Sequence, residues 1–353
     1  MLFSAVVVNW NGKHYLDECL AALLAQSPPP LEVILVDNHS DDGSREHVAA
    51  RFPQVRILDT GANLGPAAAR NLGVGQARSA RVLLVDNDVV VAPGCAGALL
   101  QCLDQDPGCA LAQARSVCAD DPETVHYDAA DLHYLGMLVL HNWFVPRARA
   151  AAPAGPVGAA VALCILVDKA AFEAVGGFYP RLFILYEDNE LAWKLRLSGR
   201  TLRLVPSALC RHKGGTAGLS VRGPHTPYPA RRTFLHTRNR ALVVRTCMHW
   251  RTLVMTWPAR AVYGGVQFAF ALARGHLGAW LRAQRELLLA WPEVFARRRT
   301  IQAMRRVPDR ELLVALPLTL NPHIAARGVA AGLRHLLDLG FALWWRLTRR
   351  ACG

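Results

Sequence analysis

The sequence has 353 residues, with 40 Lys and Arg against 27 Asp and Glu and a net charge of +13. This length allows one large α/β domain with an appendage, or two domains. The nine cysteines form no C-x-x-C pair, and the N-terminal residues lack the basic and apolar regions of a secretory signal. Composition therefore favours a reduced, cytoplasmic chain.

The positive charge is concentrated in the last third of the sequence. From residue 231 onward there are 21 Arg and five acids, a net charge of +16, whereas residues 1–230 carry 19 Lys and Arg and 22 acids, a net charge of −3. We therefore predict two regions, a domain over residues 1–230 and a basic helical region over residues 231–353. Such a basic region favours an anionic surface as its partner.

Strand and helix patterns alternate through the first hundred residues. Apolar runs predict strands at residues 4–9, 32–37, 55–58 and 82–85, and amphipathic segments between them predict helices. Three strand–helix repeats with short connections indicate a doubly wound, mainly parallel sheet with helices on both faces. Further on, we predict strands at residues 109–114, 159–167 and 201–205, and a helix that begins near Pro93.

The apolar run at residues 82–85 ends in Asp86-Asn87-Asp88. Open α/β sheets bind ligands outside the carboxyl ends of their strands, where these two acids are expected to lie. The two carboxylates repel each other, and a divalent cation would relieve that repulsion. Alternatively, the three residues only cap the helix that follows.

The basic region contains helical patterns rich in Arg and Trp. Its longest uncharged segment near residues 261–273 is too short to span a bilayer. The segment 277–291 has Leu and Trp on one side and Arg on the other. That pattern fits a helix in a membrane interface, and it equally fits an amphipathic helix packed on the first domain.

Seven motifs occur in an order that resembles one protein family. The ordered set resembles the family 2 inverting glycosyltransferases of the GT-A fold, in particular the bacterial rhamnosyltransferase-like branch, over about residues 3–245. The motifs are Val8-Asn-Trp-Asn-Gly12, Val36-Asp-Asn-His-Ser-Asp-Asp-Gly-Ser44, Asn63-Leu-Gly65 with Ala69-Arg-Asn-Leu-Gly73, Asp86-Asn-Asp88, Gly176-Gly-Phe178, Tyr186-Glu-Asp188 and His212-x-Gly-Gly-Thr216.

The resemblance implies a nucleotide-sugar donor, UDP- or dTDP-linked, and a metal cofactor, Mg²⁺ or Mn²⁺. It assigns Asp88, Asp86 and His212 to the metal, with Asp86 contacting either the ribose or the metal. The residues that it assigns to the donor are Asn9, Asp37, Asn63, Arg70 and Asp86. Three of the residues assigned to the donor or the metal have a purely structural alternative. Asp37 could cap a turn, Arg70 could form a surface salt bridge, and His212 could be a surface loop residue.

The same resemblance implies that Asp188 is the catalytic base and that Glu187 orients it. Inversion needs a carboxylate to take the proton of the attacking hydroxyl. The alternative is that both are ordinary acids at a helix N-terminus. Gly177, Phe178 and Trp143 are predicted on the acceptor side, although core packing explains Trp143 as well. Asn189-Glu190 departs from the family pattern, which makes the acceptor inferences weaker.

The predicted function is metal-dependent, inverting transfer of a hexose or deoxyhexose to a hydroxyl group of a lipid-linked or polysaccharide acceptor. The enzyme would act in cell-surface glycan synthesis, as a peripheral protein on the inner face of the plasma membrane. One alternative is a polyprenyl-phosphate sugar transferase, and another is a non-catalytic protein that binds membranes or nucleic acid. Nucleic acid is not expected, because the basic residues lack the aromatic strands of RNA-binding modules.

Overall fold

The computed structural model describes residues 2–153, 155–215, 219, 227–319 and 329–353, and Thr216 of the His212 motif lies outside them. The chain divides into two compact units. The first comprises Met1–Ala130 and Leu140–Gly214, and the second comprises Asp131–Val139 and Gly215–Gly353. The division at residue 230 stays a prediction.

The described residues form the following strands and helices. The strands are β1 Ser4–Asn9, β2 Glu32–Asp37, β3 Val55–Asp59, β4 Arg81–Asp86, β5 Val89–Val91, β6 Cys109–Cys118, β7 Val125–Tyr127, β8 Ala130–His133, β9 Leu138–Leu140, β10 Cys164–Asp168, β11 Thr201–His212 and β12 Leu313–Val314. The α-helices are α1 Lys13–Leu24, α2 Ser44–Arg51, α3 Gly65–Gln76, α4 Cys95–Gln105, α5 Lys169–Ala174, α6 Glu187–Leu197, α7 Ala230–Cys247, α8 Trp250–Met255, α9 Trp257–Ala273, α10 Leu277–Leu289, α11 Trp291–Ala303, α12 Asp309–Leu312 and α13 Val329–Thr348.

A nine-stranded sheet organises the first unit. Its order is β3-β2-β1-β4-β10-β6-β11-β5, and β7 pairs with β6. β3, β2, β1 and β4 are parallel, as are β6 and β11, whereas β10 runs antiparallel to both β4 and β6. This arrangement confirms the predicted mixed α/β fold with a mainly parallel sheet.

Buried aliphatic side chains explain why β1, β2 and β4 are interior strands of the sheet. Val82, Leu83, Leu84 and Val85 are nearly inaccessible to solvent, as expected for a strand that is covered on both faces. Leu16, Leu20 and Leu23 of α1 pack in the same hydrophobic core. The carboxyl ends of these parallel strands therefore lie at one edge, which positions Asn9, Asp37 and Asp86.

Three local predictions differ from the structure. Asp88 is followed by the short strand β5 before α4 begins, because Val89–Val91 pairs with the end of β11. β11 runs on to His212, because its pairing with β6 continues beyond an irregularity between Val205 and Leu209. The strand predicted over residues 159–167 forms only from Cys164 onward.

The second unit is built mainly of α7–α13, with a small sheet in the order β12-β8-β9. Within it, α7 packs on α10 and α11. No helix among the described residues has the length and apolar character needed to cross a membrane.

Candidate active site

Arg70 of α3 connects two acidic elements of the first unit. Its Nη2 donates to Asp86 Oδ1 at 2.6 Å, and its Nη1 donates to Glu187 Oε1 at 3.2 Å. Burial alone lowers the pKa of Arg70, but the carboxylates of Asp86, Glu187 and Asp188 outweigh this effect and raise it above its ordinary value. Arg70 is therefore a buried, charged link between the end of β4 and the start of α6, and not part of a surface salt bridge.

Asp88 contacts His212 beyond the end of β4. Its Oδ2 lies 3.0 Å from His212 Nε2, and both side chains are buried. A carboxylate and an imidazole are ligands that suit Mn²⁺. Across the part of the chain that the structure describes, however, no three His, Cys, Asp or Glu side chains form a group that could hold a metal ion. The pair fits a metal that takes its remaining ligands from elsewhere.

Asp37 is fully buried, and both of its oxygens accept hydrogen bonds from the protein. Asn9 Nδ2 and Ser40 Oγ donate to its Oδ1 at 3.0 and 2.7 Å, and the Ser40 amide donates to its Oδ2 at 2.9 Å. Asp37 thus caps the turn after β2, as its structural alternative expects. Asn9 also accepts from Asn87 Nδ2 at 2.7 Å, which ties this turn to the end of β4.

Asn63 lies at the surface, in the loop before α3. Its Oδ1 accepts from Asn38 Nδ2 at 3.1 Å and from the Gly65 amide at 3.0 Å. Gly65 has φ +79°, and a Cβ at this position would come within 2.6 Å of the Phe183 ring. The loop is therefore held close to the segment that leads into α6.

That segment has an unusual backbone. Phe183, Leu185 and Tyr186 have φ values of +63°, +70° and +75°. Residues with side chains rarely adopt this region, and each such residue costs of order 1–3 kcal/mol. The strained turn places Glu187 and Asp188 at the first positions of α6, where the helix N-terminus favours negative charge.

Glu187 and Asp188 have different surroundings. Glu187 is buried, and its Oε2 has no hydrogen-bond partner among the described residues. Burial, followed by the nearby Asp188 carboxylate, raises the pKa of Glu187 to about 8. Asp188 is only partly buried, and its Oδ2 accepts from the Ala162 amide at 3.3 Å. Glu187 is therefore a buried carboxyl group that favours its neutral form, whereas Asp188 is more accessible to solvent.

Two of the predicted acceptor residues, Gly177 and Phe178, pack tightly against Asn71. Phe178 is fully buried, and its backbone amide and carbonyl both bond to the Asn71 side chain at 2.8 Å. A Cβ on Gly177 would lie 2.6 Å from Asn71 Oδ1. The Phe178 ring has no exposed surface and packs 5.5 Å from the Arg70 guanidinium. The assignment of Gly177 and Phe178 to the acceptor side stays a prediction.

Trp143 is partly buried in an aromatic cluster. Its ring stacks on Tyr127, with centroids 6.3 Å apart and an interplanar angle of 14°, and lies 5.3 Å from Phe144. Its Nε1 is buried and has no hydrogen-bond partner among the described residues. Trp143 therefore remains an acceptor-side candidate.

The site also contains His126, which the sequence did not single out. Its Nδ1 lies 2.8 Å from His212 Nδ1. It belongs to an irregular stretch, and no motif or spacing marks it in the sequence.

We expect Glu187 to make stability depend on pH. Because the pKa is raised on folding, the folded state keeps the proton of Glu187 at pH values where the unfolded state has released it. The stabilising contribution of Glu187 is therefore fully present below about pH 4.5 and is lost as pH rises to about 8. Between pH 6 and pH 9 the wild type should lose about 2 kcal/mol more free energy of unfolding than Glu187→Gln. Denaturant titrations of both proteins test this, and parallel pH curves would contradict it.

Comparisons with known proteins identify the family of the chain. The family described as glycosyl transferase family 2 matches residues 4–175. The N-acetylglucosaminyl-diphospho-decaprenol L-rhamnosyltransferase of Mycobacterium tuberculosis is 34% identical over 238 residues, which cover 60% of this chain and 76% of that protein.

Two solved structures resemble this chain in fold. S. aureus TarS 1–349 in complex with UDP matches with a TM-score of 0.53 and 16% identity, over 99% of this chain and 91% of that chain. Mannosyltransferase PcManGT from Pyrobaculum calidifontis, in complex with GDP-Man and Mn²⁺, matches with a TM-score of 0.51 and 18% identity, over 86% and 85%. These likenesses confirm the predicted GT-A fold. The family match and the rhamnosyltransferase relative establish that the chain belongs to the family 2 inverting glycosyltransferases, in the bacterial rhamnosyltransferase-like branch.

Proposed function

We propose that this enzyme transfers a deoxyhexose from a UDP- or dTDP-linked donor to a hydroxyl group of a lipid-linked glycan, in cell-surface glycan synthesis. The name of the M. tuberculosis relative specifies a polyprenyl diphosphate acceptor and an L-rhamnosyl group, and 76% of that protein is covered. The observation that carries the proposal is the buried connection from Asp86 through Arg70 to Glu187. It joins an acid that we assign to the donor to the neighbour of Asp188, the proposed base.

Asp88 and His212 are the proposed metal ligands. Mg²⁺ and Mn²⁺ in nucleotide sites take one or two protein ligands and complete their coordination with phosphate and water oxygens, so a protein pair is sufficient. The structural neighbour from P. calidifontis was solved with Mn²⁺ and GDP-Man, which supports a divalent cation. When bound, the cation would neutralise the charge that grows on the leaving diphosphate. Asp86 is held toward Arg70 and would contact the ribose or the cation with its free oxygen.

Asn9, Asp37 and Asn63 would form the nucleotide end of the donor site. Asp37 is fully buried and accepts three hydrogen bonds from Asn9 and Ser40, so we assign it to holding the Ser40 turn in shape for the base. Asn63 is exposed in its loop and is the more direct candidate for a donor contact. Arg70 would act by fixing Asp86 and Glu187, and less by reaching the diphosphate itself, because its guanidinium is buried between them.

Asp188 is the proposed base. It is the more accessible of the two acids, and it would accept the proton of the acceptor hydroxyl. Removal of that proton activates the hydroxyl oxygen. Inversion results because this oxygen attacks the anomeric carbon from the face opposite the leaving group. Trp143 and Tyr127 offer a flat apolar surface of the kind on which sugar rings stack.

The exposed face of α13 is the proposed contact with the inner leaflet of the plasma membrane. Leu333, Leu336, Leu339, Leu343 and Leu347 are each more than half exposed and lie within an arc of about 120°, whereas Phe341 and Trp345 on the opposite side are buried. Arg346, Arg349 and Arg350 are exposed beside them. An anionic bilayer suits this combination, whereas a second copy of a region with net charge +16 would be repelled.

The base assignment is tested with Asp188→Asn. The substitution keeps the shape of the side chain and removes its basicity, so kcat should fall by about 10²–10⁴-fold with donor affinity nearly unchanged. Transfer from UDP- and dTDP-sugars to a polyprenyl diphosphate-linked GlcNAc acceptor is the assay, with Asp17→Asn as a control on the surface of α1. Turnover near that of the wild type would instead favour a phosphate acceptor, which is already ionised; a collapse of donor affinity would place Asp188 on the donor side.

The metal assignment is tested with Asp88→Asn. Loss of the carboxylate should abolish transfer and the thermal stabilisation by UDP that depends on Mn²⁺, while circular dichroism stays like that of the wild type. Thermal unfolding with UDP, with and without MnCl₂, measures this directly. Retained Mn²⁺-dependent stabilisation in the variant would refute the assignment.

The membrane assignment is tested with the double variant Leu336→Ser and Leu343→Ser. It should reduce cosedimentation with phosphatidylglycerol-containing vesicles, and high salt should release the wild type, because each basic residue near such a surface contributes about 1 kcal/mol. Leu31→Ser with Leu72→Ser removes two exposed leucines of the first unit and should bind as the wild type does. Equal vesicle binding by the two double variants would contradict the assignment of α13 to the membrane surface.

A further inference from the structure

An irregularity in the sheet turns His126 toward the candidate metal site. β7 pairs antiparallel with β6, with Tyr127 opposite Ser116 and Val125 opposite Val117, so His126 is the extra residue at a shift of the register. An extra residue of this kind is a β-bulge, and bulges near active sites re-aim a side chain. His126 is almost completely buried.

The bulge brings three side chains into a row. His126 Nδ1 lies 2.8 Å from His212 Nδ1, and His212 Nε2 lies 3.0 Å from Asp88 Oδ2. The two imidazole rings have centroids 4.7 Å apart, and Phe144 packs 5.4 Å from His126. A hydrogen bond between two ring nitrogens needs one proton, so one ring must donate and the other must accept.

This one geometry accommodates two arrangements of protons, which differ in the ring nitrogen of His212 that carries the hydrogen. Without a cation, His126 donates to His212 Nδ1, and His212 donates from Nε2 to Asp88. A cation held by Asp88 and His212 requires a bare Nε2, so the proton of His212 must then be on Nδ1 and His126 must accept it. Only a side chain that donates in one state and accepts in the other satisfies both arrangements.

We propose that His126 is a positioning residue that orients the His212 ring and holds its tautomer for a divalent cation. The inference rests on the proposed metal function of Asp88 and His212. His126 itself does not contact the cation; it acts through the Nδ1–Nδ1 hydrogen bond.

Two substitutions separate hydrogen bonding from packing. His126→Phe retains a flat ring and removes the hydrogen bond, whereas His126→Asn puts an amide near the Nδ1 position that donates or accepts by flipping. Free Mn²⁺ is measured by electron paramagnetic resonance in the presence of UDP. We expect His126→Phe to weaken Mn²⁺ binding by about 10–100-fold and His126→Asn to restore most of it. His14→Phe, at an exposed position of α1, should leave the affinity unchanged.

The wild type supplies an independent measurement that does not depend on how the variants fold. In ¹⁵N-histidine spectra, with His212→Asn used to identify the signals, Mg²⁺ with UDP should move the His212 proton from Nε2 to Nδ1. An unchanged tautomer overturns the proposal, as does unchanged or equally weakened Mn²⁺ binding in the two His126 variants. If Asp88→Asn, made in a chain that keeps His126, does not weaken Mn²⁺ binding, the proposed metal function fails, and this inference fails with it.

Discussion

The shared guanidinium of Arg70 is the interaction on which the rest of the site depends. It lies between Asp86 and Glu187, which are 101 positions apart in the sequence but both within hydrogen-bond reach of one side chain. Burial raises the pKa of both carboxyl groups and so disfavours their charged forms, and Arg70 provides a positive charge that opposes this effect. Removing one partner from such a buried group typically costs about 3–5 kcal/mol, because the remaining charge is left uncompensated.

Several neighbouring features support Arg70. Phe178 covers the guanidinium on one side, and Asn71, the next residue of α3, fixes the Phe178 backbone through two hydrogen bonds. Within α6, the buried Lys194 pairs with Glu190 at 2.9 Å and also bonds to the Gly177 carbonyl. The Gly-Gly-Phe and Glu-Asp motifs therefore belong to one packed structure, which holds the strained backbone before α6 in place.

The sequence allowed the general location of the site to be predicted, but not its internal contacts. Apolar runs that end in Asn9, Asp37 and Asp86 are local signals, and the parallel order of β1, β2 and β4 brings their ends together. The partners of Arg70 could not be predicted this way, since the pairing depends on how α3 and α6 pack. His126 was missed for a related reason: its direction is set by a bulge, and bulges depend on the register of two strands. Phe178 was assigned to the acceptor because its motif is functional in the family, whereas its burial shows that the motif also has a packing role.

The pair Glu187 and Asp188 shows how one local environment can give two adjacent carboxyl groups different chemistry. Both begin the same helix, so the helix N-terminus favours negative charge on each of them. Burial opposes that effect at Glu187, and a charge on Asp188 adds to the opposition, so the proton stays on Glu187 up to about pH 8. Arg70 does not reverse this, because it is shared with Asp86. A neutral Glu187 therefore limits the negative charge beside Asp188, and the departure at Asn189 and Glu190 leaves this division intact, since Glu190 is neutralised by Lys194.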